Sequence, residues 1–222
     1  MSDKLEFVTK LFEANRNETE AGPMKKYMKD HFSFLGIKSP IRKELEKEFF
    51  KETGIVKEPF DQEFIIELWK KDEREYQYTA LTYIEKMLKK LQKDDLALME
   101  RLVLEKSWWD TVDAIAAKPV GRIAEMYPEV IEETIDGWAV HENMWLRRTA
   151  ILFQLKYKEK TDEARLYRYI KNNSYSNQFF IQKAIGWALR EYSKTDPASV
   201  RRFINENTLA PLSVREGSKY VG

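Results

Sequence analysis

A small set of side chains in the second half of the chain has the types and spacing to act together. Asp113 stands one helical turn after Trp109, Trp187 stands one turn after Lys183, and Arg148 falls between the two pairs. Lysine and arginine hold phosphates, and an acid among such contacts repels them, so Asp113 points toward catalysis more than toward backbone binding. Each residue also has an ordinary use. Most acids are surface charges paired with a nearby base, and tryptophan at helical spacing is usually core, which is how Trp69, Trp108, Trp138 and Trp145 read. Trp109 and Trp187 differ because each borders a polar column of the helices described below.

Other chemistries lack their residues. There are two histidines, His31 and His141, and no cysteine; His141-Glu142 has no second histidine to complete HExxH, so no metal site is expected. The sequence has no GxGxxG, no GKS or GKT phosphate loop and no GxSxG elbow, which removes the usual signals for nucleotide cofactors and for serine hydrolysis. No cofactor is expected.

The elements that must position these residues are helices. Only 8 Gly and 7 Pro punctuate 222 residues, and apolar residues recur at helical spacing, as in Leu5, Val8, Leu11 and Phe12. Ser39-Pro40, Glu58-Pro59 and Asp196-Pro197 read as helix starts, and Gly22, Gly54 and Gly137 as breaks between helices. The chain is predicted to be all α.

The helices repeat. Aligning the segments on a small central residue puts Ala80, Ala114, Ala150 and Ala184 in one column, with Glu44 before and Gly217 after, at spacings of 36, 34, 36, 34 and 33 residues. The next column, Leu45, Leu81, Ile115, Ile151 and Ile185, should be buried, as should the alanines. Each period holds two helices and two turns, the unit of a HEAT-like α-solenoid with a concave face. One domain over 1–222 is expected, with N-terminal helices in 1–36 and about six repeats of 33–36 residues in 37–222.

The residue before the small one is polar in every repeat: Lys43, Thr79, Asp113, Thr149, Lys183 and Glu216. Aromatics lie one turn either side, Trp109 and Trp187 among them. Arg148, Lys156 and Arg190 read as one basic ridge along the same groove, and Lys25-Lys26-Tyr27 interleaves base and aromatic, a nucleic-acid signal of low specificity. The charge is uneven as well. The chain carries 38 basic and 37 acidic side chains, yet residues 141–222 hold 15 and 8, a net of +7. A solvated helical surface gives the same imbalance, so charge alone leaves nucleic acid and plain surface both open.

No apolar run approaches the roughly 18 residues of a membrane span. With no apolar signal core after Met1 and no cysteine, a reducing cytoplasm is the expected location.

The chain resembles the HEAT-like-repeat alkylpurine DNA glycosylases of the AlkD type. The likeness runs through Met24–Lys29 (MKKYMK), Phe34–Pro40 (FLGIKSP), Lys106–Asp113 (KSWWDTVD), Trp145–Lys158 (WLRRTAILFQLKYK), Phe179–Tyr192 (FFIQKAIGWALREY) and Leu209–Ser213 (LAPLS). The resemblance implies hydrolysis of the N-glycosidic bond of N3- and N7-alkylated purines such as 3-methyladenine and 7-methylguanine, in base excision repair. It maps the catalytic acid onto Asp113, the cleft tryptophans onto Trp109 and Trp187, and a phosphate-holding arginine onto Arg148. Tyr27, Lys156, Lys183 and Arg190 are the further DNA-binding candidates. It implies double-stranded DNA as partner, a monomer, and neither membrane nor nucleotide cofactor. Fold likeness alone leaves a second reading open, a non-catalytic module that grips DNA or a protein in the same groove.

Overall fold

The computed structural model describes residues 2–221, and among them the chain is helical, with one isolated bridge between Ser33 and Glu73 and no strand. Among the described residues no helix is long and apolar enough to cross a membrane. Two compact units divide it, Met1–Leu91 and Gln92–Gly222.

The first unit holds α1 (Asp3–Glu13), α2 (Glu18–Tyr27), α3 (Ser39–Thr53), α4 (Gln62–Lys70) and α5 (Arg74–Lys86). Its centre is aromatic, with Phe12 stacked on Tyr76 and Phe49 on Phe64. The loop before α3 is held by a buried acid. Glu75 accepts the backbone N–H groups of Leu35, Gly36 and Ile37 at 3.0–3.1 Å, which satisfies donors that the loop cannot pair internally.

The second unit holds α6 (Asp95–Leu104), α7 (Trp109–Ile115), α8 (Gly121–Met126), α9 (Asp136–Trp138), α10 (Met144–Leu152), α11 (Glu163–Asn173), α12 (Phe179–Tyr192), α13 (Pro197–Glu206) and α14 (Pro211–Gly217). Aspartate or asparagine side chains cap several starts: Asn143 accepts from Trp145 N, Asp162 from Arg165 N, and Asp196 from Ser199 N. Side-chain bonds within this unit recur at the spacing of the repeat. Asn173 to Ala139, Lys160 to Glu125, Tyr157 to Gly121 and Ser199 to Glu163 each reach back 34 to 36 residues. Each helix pair is thus tied to the one before it.

The small-residue column is buried at Ala80, Ala150 and Ala184. Ala114 departs from it and is half-buried. Around it Val112, Ile115 and Ala116 are buried, and α7 runs on into a π turn at Ala116–Val120. Leu81 in the next column is also half-buried, while Leu45, Ile115, Ile151 and Ile185 are buried. Among the expected signals, Asp196-Pro197 opens α13 as read. Glu58-Pro59 opens nothing, because Asp61 caps α4 three residues later. Ser39 is already the first residue of α3, and Gly22 and Gly137 lie inside α2 and α9 rather than between helices.

Candidate active site

Three aromatic side chains align the starts of three helices in the second unit. Trp108 precedes α7, Trp145 is the second residue of α10 and Phe180 the second of α12, and their rings meet with centroids 5.0–5.9 Å apart. With the starts pinned, residues one turn further along the three helices face one another. Farther along, Gly121 lets α8 close on the end of α10: a Cβ there would lie 2.5 Å from the Phe153 carbonyl oxygen, so no larger residue fits unless the backbone moves.

Asp113 and Arg148 meet in the middle of this arrangement. Arg148 Nε donates to Asp113 Oδ1 at 2.7 Å and Nη2 to Oδ2 at 2.8 Å, a bidentate pair, while Nη1 donates to the Phe180 carbonyl oxygen. The guanidinium is 5% exposed and the carboxylate 15%. Burial pushes the Asp113 carboxyl above the ordinary carboxylate range, against the pull of the Arg148 guanidinium, and Asp110 nearby adds to the rise.

The pair opens on a cavity of about 380 Å³. Trp109 stands on the α7 side, and Phe179, Lys183, Trp187 and Arg190 line it from α12. Both candidate tryptophans are half-buried, whereas Trp69, Trp138 and Trp145 are core; Trp108, expected in the core, is half-buried at the edge of the aromatic cluster. Phe179 is 58% exposed at the mouth. The cavity therefore joins a buried acid, two indoles and a cationic rim, and suits a ligand with an aromatic ring beside an anionic backbone.

Arg148, Lys183 and Arg190 come together here with the acid and both indoles, as the repeat register anticipated. Lys156 does not. α10 ends at Leu152, so Lys156 sits exposed in the following turn, off the helix that was to carry the basic ridge, and does not line the cavity. Tyr27 belongs to the first unit, where it ends α2 with 70% exposure. Arg148, expected to hold a phosphate, gives three of its donors to Asp113 and to the Phe180 carbonyl oxygen. Glu216, the last member of the polar column, lines the cavity as well, which its place in the column alone does not reveal.

A sequence profile of DNA alkylation repair enzymes matches residues 8–221. The chain belongs to that family. The repair-enzyme chain is 36% identical to a predicted DNA alkylation repair enzyme from Enterococcus faecalis of solved structure, with a TM-score of 0.85 over 93% of this chain and 97% of that one. It also shares its fold, at 18% identity and a TM-score of 0.60, with smu.31 from Streptococcus mutans UA159, covering 82% of this chain and 98% of that one. No curated protein sequence matches. Family membership makes this a protein of DNA alkylation-damage repair and DNA its substrate.

Proposed function

We propose that this member of the family is a DNA glycosylase that hydrolyses the N-glycosidic bond of cationic N3- and N7-alkylated purines, releasing the base and leaving an abasic site. The observation that carries the reading is the buried Asp113 carboxylate, held by Arg148 and open to a cavity flanked by Trp109 and Trp187.

Glycoside hydrolysis ordinarily needs two carboxyl groups, one to protonate the leaving group and one for the opposite face of the sugar. Here only Asp113 is placed for that work, because Glu216, the other acid lining the cavity, is engaged by surrounding cations. An alkylated purine already carries the positive charge that a general acid would supply, so a single carboxylate suffices. As the bond from C1′ to the purine breaks, its electron pair passes to the ring and neutralises it, and positive charge appears on the sugar. Asp113 stabilises that charge and takes a proton from the water that attacks C1′. The products are a neutral alkylpurine and an abasic deoxyribose.

The neighbours divide the remaining work. Trp109 and Trp187 offer electron-rich faces to the cation, each contributing roughly 0.5–2 kcal/mol. Arg148 keeps Asp113 ionised and oriented. Lys183 and Arg190 bind phosphates and set the register of the duplex without reading its sequence. Base release from methylated duplex DNA is the test: free 7-methylguanine and 3-methyladenine support the enzyme, whereas binding without release makes this a non-catalytic DNA-binding module.

A further inference from the structure

The second acid at the cavity, Glu216, has no place in that chemistry. It comes from α14, which crosses α12 so closely that a Cβ on Gly186 would lie 2.6 Å from the Glu216 Cβ, with Ser213 Oγ donating to the Gln182 carbonyl oxygen at 2.9 Å beside the crossing. Glu216 is thereby set between Lys183 and Arg190, one turn either side of Gly186 on α12. Its carboxylate lies 3.3 Å from Lys183 Nζ, 3.1 Å from Arg190 Nη1, 3.0 Å from Lys219 Nζ and 4.0 Å from Arg215 Nη2. Among the described residues its polar partners are all cations.

The exposures are unequal in a telling way. Glu216 is 11% exposed, but Lys183, Lys219 and Arg215 are 38%, 47% and 72% open to solvent. Four bases gathered on one anion, with their outer sides facing water beside an indole of the cavity, have the donor set and net positive charge that suit a phosphodiester. An internal carboxylate already uses part of that capacity.

We propose that Lys183, Arg190, Arg215 and Lys219 form one site for a DNA phosphate, and that Glu216 is its resident competitor, limiting how tightly the protein holds undamaged duplex. The proposal rests on the reading of this cavity as a DNA site. A phosphate entering the cluster exchanges with a carboxylate instead of meeting unpaired cations, so some of the ion-release driving force for binding is cancelled in advance. The device favours a repair protein that must leave undamaged DNA quickly.

The test is Glu216→Gln, measured by binding to an undamaged duplex across a range of salt concentrations. The variant should bind about 10-fold tighter at moderate salt, with a slope of log K against log salt steeper by about one. Equal or weaker binding by a folded variant overturns the proposal, because a residue that merely scaffolds the bases would loosen them when lost. If the variant does not fold, Arg215→Gln combined with Lys219→Gln decides: binding should weaken and the slope flatten by about one, and an unchanged slope overturns the proposal. Wild-type protein that neither binds DNA nor releases base removes the functional reading itself. Wild-type protein that does both, beside a Glu216→Gln variant no tighter than it, removes only this inference.

Discussion

Arg148 grips Asp113 across 35 residues of sequence with two parallel hydrogen bonds, and both groups are largely shielded from water. The pair fixes the direction of the carboxylate on which the proposed chemistry depends and offsets part of the cost of burying it.

Arg148→Gln should therefore act through Asp113. Without the guanidinium, the carboxyl, already raised by burial, rises further, and since the ionised form does the work, activity falls as pH drops through that value. The acid limb of single-turnover base release should move to higher pH in the variant, and part of the activity should return in alkaline buffer. Stability follows the opposite sign. A carboxyl whose folded-state value lies above its unfolded value contributes most in acid, and that contribution is lost as pH rises through the folded-state value. Breaking a buried pair from one side costs about 3–5 kcal/mol, so the variant's unfolding midpoint in urea should fall most at neutral pH.

The two classes of tryptophan should separate cleanly. Trp187→Ala removes a face of the cavity and should slow release of 7-methylguanine by roughly 2- to 30-fold, the equivalent of 0.5–2 kcal/mol, with a small loss of stability. Trp145→Ala empties a packed position, 8% exposed, and should cost about 3–5 kcal/mol of stability instead. Urea unfolding and base release measured on both variants check the contrast; equal stability losses would return Trp187 to the core.

The repeat period, its polar column and the residues Trp109, Asp113, Lys183 and Trp187 were legible because helical spacing is a local property of sequence. Ala114 is half-buried between the buried Val112 and Ile115, because a column in the sequence marks a helix face and not how closely the next helix covers each residue of it. Lys156 was misplaced because α10 ends early, at Leu152, without a glycine or proline to mark the stop. The Arg148–Asp113 pair was half visible. The two lie in adjacent columns of consecutive repeats, but whether such columns face each other depends on how the helices are packed, and here the Trp108, Trp145 and Phe180 cluster decides that. Glu216 stayed hidden because Gly186, whose missing side chain admits it, belongs to another helix.

Gly186→Ala should be costly for the same reason. The added methyl meets the Glu216 Cβ at 2.6 Å and the Ser213 backbone at 3.2 Å, so α14 must move off α12. Overpacking of this kind costs about 1–3 kcal/mol, even though alanine favours helix more than glycine does. Thermal and urea unfolding give the sign; a stabilised variant would mean that the crossing is looser than described.

Glu216 should leave a mark on acid stability. Hydrogen bonds from Lys219 and then Lys183 hold its carboxyl down at about 2. A depressed value means that the stabilising contribution is present above the unfolded-state value of roughly 4.3 and is lost as pH falls from there toward 2. Urea unfolding at a series of pH values should show a shallower acid decline for Glu216→Gln than for wild type in that window. Parallel declines would place the carboxylate outside the cation cluster.

The central claim is that the charge of Asp113, and not its shape, carries catalysis. Asp113→Asn keeps the outline and an acceptor for Arg148 while removing the negative charge. Single-turnover release of 7-methylguanine from methylated duplex should fall by a factor on the order of 10² or more, as for loss of a preorganised electrostatic group. Binding of the same duplex should hold or tighten, because an acid has left a phosphate site and Arg148 is released from its ion pair. Release of 7-methylguanine by Asp113→Asn at the wild-type rate would contradict the account.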